Sequence, residues 1–184
     1  MKDIYILKSL SGAQEYIKLE GNVEDIKIPV MKSEIQHLDK KRIELTVSEE
    51  GGLEVPDLIY YEGLFLLSSR LKQLLDSRKM DYVFWKGVDI QNERLGIHES
   101  FWLIVPPRID AIDRENSDLV LEWNFDYGLI PLLKVNKVVI RDKAIGRFEL
   151  FKLLGVMDNN IYVTKELYDI IVAKEFEGIG FIKI

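Results

Sequence analysis

Short runs of β-branched, aliphatic and aromatic residues recur along the chain and alternate with polar turn residues, a pattern that predicts strands. Glycine, proline, asparagine and aspartate mark several of the turns, as in "EEGG" at 49–52, "PPR" at 106–108 and "MDNN" at 157–160. The pattern therefore predicts a protein built mainly of β-sheet. The predicted strands cover residues 4–7, 43–47, 58–61, 82–85, 101–105, 119–125, 132–140 and 148–153.

Two stretches, one near the middle of the chain and one at its end, share a helical pattern. Ser68 and Thr164 each stand at an N-cap position, where a hydroxyl accepts a backbone N–H. An apolar run precedes each helix and another follows it. We therefore predict two similar strand-helix-strand units, at 64–86 and 161–183, whose helices pack on a mostly antiparallel sheet. Their apolar residues match at i, i+4, i+7 and i+8, the stripe of an amphipathic helix: Leu67, Leu71, Leu74 and Leu75, then Val163, Leu167, Ile170 and Ile171.

Length and composition favour one domain with a substantial core. The chain has 184 residues, of which 47% are hydrophobic, and a chain of this size can bury a sizeable interior. Polar and glycine residues around 49–56 mark the only weak candidate for a boundary. We predict a single α+β domain over 1–184, in which 1–55 form a β-rich N-terminal extension and 56–184 form the core.

The charge balance and the absence of cysteine exclude several classes of function. There are 25 basic and 31 acidic residues, and the compact basic run is Lys40-Lys41-Arg42, so we do not expect nucleic acid as a partner. Without cysteine there is no disulfide, thiolate metal site or cysteine nucleophile. The first apolar run is too short for a signal peptide, and no run reaches the length of a membrane span. We expect a cytoplasmic protein with no membrane partner.

Candidate catalytic groups are few and scattered. His37 and His98 lie far apart in sequence and neither belongs to a metal-spaced pair, so we interpret both as surface or structural residues. Asp110, Asp113 and Asp118 are the remaining candidates, since paired acids serve as metal ligands or as general acid and base. Their segment lacks the central glycine and final glutamate of a calcium loop, which favours a solvated turn. We predict no catalytic residue, no cofactor and no metal site.

Acidic residues concentrate in one part of the chain. Residues 110–126 hold six acids and one base, in a chain whose formal net charge is -6. In the predicted strand 119–125 apolar residues alternate with polar ones, so one face is buried and the other meets water. The carboxylates then solvate a sheet face or edge, or they dock a basic partner. We predict docking, through an acidic surface made of Asp113, Glu115, Asp118, Glu122 and Asp126.

The order of several short motifs resembles a family of small immunity proteins from bacterial polymorphic toxin and contact-dependent inhibition systems. The resemblance covers residues 60–184 and leaves the earlier residues without a counterpart. Its motifs are an aspartate turn with a serine, a strand with an aromatic and a basic residue, a capped helix and a glycine-phenylalanine ending. In chain order they are Asp110, Asp113 and Ser117; Leu150, Phe151 and Lys152; Val163, Thr164 and Leu167; Gly178 and Phe181.

The resemblance implies a non-enzymatic antidote that binds and neutralises a cognate toxin, and it does not identify that toxin. The residues leave two alternatives open. One is a structural module whose partner is a second copy of itself. The other is a hydrolase that uses the carboxylates of Asp110, Asp113 or Asp118.

Overall fold

The computed structural model describes residues 3–93, 96–124, 130–156 and 158–184, and for residues 97, 99, 121–124 and 130–135 it describes the backbone alone. Its strands form a five-stranded sheet, a six-stranded sheet and a separate hairpin. Helices and loops connect the strands and cover parts of both sheets.

The five-stranded sheet combines strands from both ends of the chain. The N-terminal strand, Ile4–Ser9, lies inside it. It is hydrogen-bonded on one side to the strand Ile161–Thr164 and on the other to the strand Ile179–Lys183. Residues within the segment 1–55 are thus an internal part of this sheet. From one edge to the other its strands are β13 (Ile179–Lys183), β1 (Ile4–Ser9), β12 (Ile161–Thr164), β11 (Leu150–Leu153) and β8 (Arg108–Ile109).

The six-stranded sheet is built around two long strands, Phe84–Asn92 and Ile97–Val105, which pair along their whole length. At one edge, Glu62 and Gly63 both have positive φ, 49° and 91°, the backbone of a two-residue hairpin turn. In spatial order the strands are β2 (Leu19–Glu20), β3 (Glu44–Val47), β6 (Phe84–Asn92), β7 (Ile97–Val105), β5 (Leu64–Ser68) and β4 (Leu58–Tyr61).

The pairings confirm a mixed α and β protein that is predominantly sheet. The sheets themselves are mixed, because β3 pairs with β6 in parallel and β8 pairs with β11 in parallel. The hairpin of β9 (Asp118–Asn124) and β10 (Ile130–Lys137) is antiparallel. The prediction of a mostly antiparallel sheet is therefore confirmed only in part, because each of the two large sheets also contains a parallel pair.

The two predicted helices are α2 (Ser69–Ser77) and α4 (Lys165–Val172). Strands β5 and β6 lie on either side of β7, and strands β12 and β13 lie on either side of β1. That these two segments are copies of one unit stays a prediction. Each helix buries two residues of its predicted stripe, whereas Leu74 and Ile170 are half-buried; the fully buried residues are Leu71, Leu75, Leu167 and Ile171.

The predicted caps differ. The Ser68 hydroxyl accepts a hydrogen bond of 3.2 Å from the Leu71 N–H, as expected of an N-cap. Thr164 does stand at the N-cap of α4, but the predicted capping bond is wrong, because its hydroxyl is buried and has no hydrogen-bond partner among the described residues. The Lys165 N–H at the start of α4 instead donates to the Asp3 carbonyl, 3.0 Å away. A backbone acceptor thus satisfies the first N–H of α4, which differs from the N2 and N3 groups that a capping side chain serves.

Several short elements were not predicted, two helices among them. Helix α1 (Glu24–Lys32) follows β2, and its buried residues Ile26 and Val30 pack against the six-stranded sheet. It contains Pro29, and its C-cap residue is Ser33, whose φ is 55°. A short helix, α3 (Asp142–Ile145), precedes β11. None of the helices in the described parts of the chain is long and apolar enough to cross a membrane.

Candidate partner-binding surfaces

The predicted acidic surface begins in the turn that follows Asp113. One carboxylate oxygen of Asp113 accepts the N–H groups of Glu115 and Asn116 at 3.1 and 3.2 Å, and the other accepts the Asn116 side-chain amide at 2.8 Å. These hydrogen bonds, that of the Asn116 amide above all, hold the pKa of Asp113 below its usual range. Asp113 therefore organises its own turn, while Glu115 beside it is exposed.

The aspartates and the serine of the resemblance motif also fasten the base of the hairpin. The Ser117 hydroxyl donates to the Val139 carbonyl at 3.2 Å and accepts the Val139 N–H at 2.9 Å. The Asp113 N–H donates to the same carbonyl at 2.8 Å. Arg141 forms an ion pair of 3.3 Å with Asp110 and donates to its carbonyl. The geometry gives these motif residues a structural role.

Strand β9 of the hairpin carries two of the remaining predicted acids, Asp118 and Glu122. Asp118 is exposed and accepts a hydrogen bond of 3.2 Å from the Asn136 side chain. Glu122 lies in β9, where the backbone alone is described, and Asp126 lies outside the described residues. The structure thus brings Asp113, Glu115 and Asp118 into one continuous segment of turn and strand.

The second strand of the hairpin changes the charge of this region. In the register of β9 with β10, Asp118 pairs with Lys137 and Val120 pairs with Lys134. Residues directly opposite one another in an antiparallel pair lie on the same side of it. The charge of Lys137 therefore lies opposite Asp118, and the hairpin is less one-sided in charge than residues 110–126 indicate.

A second cluster of charged residues lies in the interior. Lys152 on β11 is 1% exposed, and it is the register partner of Arg108 on β8. Its ammonium donates to the Asn159 side-chain oxygen at 2.6 Å and to the Val30 carbonyl at 3.3 Å. Burial, and to a smaller degree the charge of Arg108, lowers the pKa of Lys152 from 10.5 to about 7. Burial also lowers the pKa of Arg108.

Asp158 offsets part of this buried positive charge. Its carboxylate opposes the lowering of the pKa of both Lys152 and Arg108, and one of its oxygens accepts the Tyr162 hydroxyl at 2.7 Å. Within the described residues, the other oxygen and the Arg108 Nε are buried without a hydrogen-bond partner. Because buried polar atoms are nearly always paired, these two atoms mark the cluster as a candidate site.

Arg108 also lines a groove of about 510 Å³ next to the end of α1. Two large apolar residues at the groove are well exposed, Ile35 at 43% and Leu154 at 48%. The Ser33 hydroxyl donates to the Pro106 carbonyl at 3.0 Å, which joins the end of α1 to the loop before β8. The groove therefore combines exposed apolar side chains with a cation.

Sequence reasoning missed Arg108 and Lys152 as functional candidates. Arg108 falls in a "PPR" segment that was interpreted as a turn, and Lys152 entered only as the basic residue of a family motif. A signal was present in the strand itself, because Lys152 interrupts the apolar run 150–153. A lysine is almost never fully buried unless it has a partner, so a lysine within a core strand indicates a special environment.

The groups considered for catalysis are dispersed. His37 ends a short 3₁₀ helix and His98 lies on β7, and both are exposed. Within the part of the chain that the structure describes, no group of three or more histidine, cysteine, aspartate and glutamate side chains could hold a metal ion.

Comparison with known families decides the identity of the fold. The model of the immunity protein family Imm11 matches residues 8–184. The chain belongs to this family. Since the Imm11 match starts at residue 8, the interpretation that residues before 60 have no family counterpart is wrong, which fits the internal position of β1 in its sheet. No curated protein matches the chain closely enough to count as a relative.

Proposed function

We propose that this Imm11 protein binds and neutralises a cognate bacterial toxin without catalysing a reaction. The observation that carries the proposal is the family match over residues 8–184. Immunity protein families are in general non-catalytic, so inhibition by binding is the mechanism that the match supports best. The proposal places the protein in a polymorphic toxin system, in the cytoplasm of the cell that makes the toxin.

The partner surface of this proposal is the acidic surface, made of Asp113, Glu115, Asp118, Glu122 and Asp126. Its support is the exposure of Glu115 and Asp118 and the density of acids in this segment. A toxin that acts on nucleic acid needs a basic face for phosphates, and carboxylates compete for such a face. Asp113 contributes mainly by shaping the turn, since its oxygens accept hydrogen bonds from within it.

The fold serves this proposal as a rigid support. We propose that residues 1–184 act as a single domain, with the two strand-helix-strand segments at 64–86 and 161–183 as its scaffold. Rigid elements hold a binding surface in the geometry of the complex and reduce the entropy lost on binding.

Co-expression with a toxin tests the proposed function. The proposal expects a toxin gene immediately upstream, and the toxic domain that it encodes is expressed with and without this chain in a toxin-sensitive host. We expect growth to be restored and a stable complex to be recovered by size-exclusion chromatography. A core variant, Leu167→Asp, is the control for loss of folded protein, since Leu167 is fully buried. Growth arrest in the presence of folded, unaltered protein would overturn the proposal.

A further inference from the structure

We propose that the groove beside Arg108 is a second docking site, which receives an acidic segment of the toxin that also carries an apolar side chain. The inference rests on the proposed function, because the occupant is the toxin. In this inference an acidic part of the toxin binds the groove, whereas a basic part of the toxin binds the acidic surface. We call this site the Arg108 groove, and its defining residues are Lys32, Ile35, Arg108 and Leu154.

The first argument is electrostatic. Arg108 and Lys152 are neighbours in register on two parallel strands, and like charges placed side by side repel each other. Asp158 supplies one negative charge against these two cations. Lys32 adds an exposed positive charge at the groove. Asp81, the acid that lines the groove, forms an ion pair with Arg147. The positive charges at the Arg108 groove therefore exceed the negative charges that compensate them.

The second argument is the unpaired nitrogen of Arg108. Its Nε is buried and, within the described residues, makes no hydrogen bond. A guanidinium offers donors in a planar fork that fits the two oxygens of a carboxylate. A partner carboxylate in the groove would meet the part of the guanidinium that lines it and would supply the missing negative charge, whereas the buried Nε becomes reachable only when the Arg108 side chain shifts.

The third argument is the apolar rim. Ile35 and Leu154 are exposed beside the cations, and Tyr82, Phe84 and Pro106 also line the groove. Grouped exposed apolar residues mark interaction sites, and arginine is enriched among the residues that contribute most to binding energy. The volume of about 510 Å³ falls within the range of binding pockets. The occupant therefore pairs an apolar side chain with a carboxylate.

The fourth argument is rigidity. The Lys152 N–H donates to the Pro107 carbonyl at 2.8 Å, and the Ser33 hydroxyl donates to the Pro106 carbonyl at 3.0 Å. These bonds hold the loop before β8 from both β11 and the end of α1. A groove that is already in place loses less entropy when it is occupied.

Matched surface variants test the Arg108 groove in the whole protein. Lys32→Glu and Leu154→Asp alter exposed groove residues, so both variants should stay folded. The controls are Lys174→Glu and Val172→Asp, which make corresponding changes from lysine to glutamate and from an apolar residue to aspartate. Both residues are exposed, lie at or just beyond the end of α4 and do not line the groove. The affinity for the toxic domain is measured by titration calorimetry. We expect each groove variant to weaken binding by about tenfold or more and each control by less than about threefold.

Arg108→Gln tests the anchor itself. It removes the cation and keeps a hydrogen-bonding side chain, so we expect weaker toxin binding and less dependence of the affinity on salt. Because Arg108 is half-buried, thermal unfolding of the variant is measured alongside. If Arg108→Gln is unfolded, the two surface variants still decide the question.

The outcomes separate this inference from the proposed function. If the unaltered protein fails to bind the toxic domain, both are overturned. If it binds and the groove variants bind equally well, the Arg108 groove alone is overturned. If light scattering shows a dimer of the free protein that Lys32→Glu dissociates, the occupant is a second copy of this chain and the toxin assignment is wrong.

Discussion

Lys152 and Arg108 are register partners across the parallel pairing of β11 with β8, so two cationic side chains leave neighbouring strands of the interior together. The arrangement is held by few compensating contacts, namely Asn159 and the Val30 carbonyl for Lys152 and the electrostatic influence of Asp158 for both. A buried lysine next to a half-buried arginine lowers stability, and the pKa of Lys152 falls in response. Its presence beside a groove is the main structural reason to seek a function there.

The first prediction concerns the pH dependence of stability. Lys152 has a pKa of about 7 in the folded protein and 10.5 as its ordinary value. Between these values the unfolded chain binds more protons, so the free energy of unfolding should rise with pH, by at most about 1.4 kcal/mol per pH unit. Below the folded pKa both states are protonated, and this contribution becomes flat.

Lys152→Met should remove that slope, whatever its effect on overall stability. The measurement is urea unfolding at several values between about pH 6 and about pH 9. Lys143→Met, at an exposed residue of α3, is the control and should keep the slope. Parallel pH profiles for Lys152→Met and the unaltered protein would show that Lys152 is not the group responsible.

The second prediction compares the two N-cap residues. Ser68→Ala removes a hydrogen bond to the Leu71 N–H and another to Asp57, so it should destabilise the protein by about 1–2 kcal/mol. Thr164→Val removes a buried hydroxyl for which the described part of the chain offers no hydrogen-bond partner. It should leave the stability unchanged or raise it by up to about 1 kcal/mol. Equal losses in chemical denaturation would contradict this contrast.

The third prediction concerns the helix stripes. Leu71 and Leu167 are 1% and 0% exposed, so truncation of either to alanine should cost about 2–5 kcal/mol of unfolding free energy. Val172 is 50% exposed on the same helix as Leu167. Val172→Ala is therefore the control and should change stability by about 0.5 kcal/mol or less. Losses below that value at both leucines would show that the stripes are not core.

The fourth prediction concerns the acidic surface. Reversal of Asp118, Glu122 and Asp126 to lysine should slow association with the toxic domain and weaken its salt dependence, because electrostatic attraction accelerates encounter. Stopped-flow association at low and high salt is the measurement. Reversal of three acids elsewhere is the charge-matched control, made at the exposed residues Asp39, Glu50 and Glu93. An unchanged association rate in the folded triple variant would remove the acidic surface from the interface.

Local pattern was sufficient for most of the elements. The strand at Leu58–Tyr61 has the predicted bounds, and helices α2 and α4 start directly after Ser68 and Thr164. In these segments the periodicity, the polar boundary and the final packing agree, so the sequence determines the element by itself. Helix α1 escaped prediction because Pro29 lies within it and its apolar face is short.

Tertiary structure decided which residues share a surface. The hydroxyl of Thr164 has the chemistry and the position of a cap. In the fold it is buried at the end of β12, and the Asp3 carbonyl accepts the first N–H of α4. The pairing of Lys152 with Arg108 depends on a parallel register between strands more than forty residues apart in sequence. Periodicity along one strand carries no information about its neighbour. The sequence by itself therefore determined most of the elements and the family motifs, while long-range pairing decided the environment of the charges.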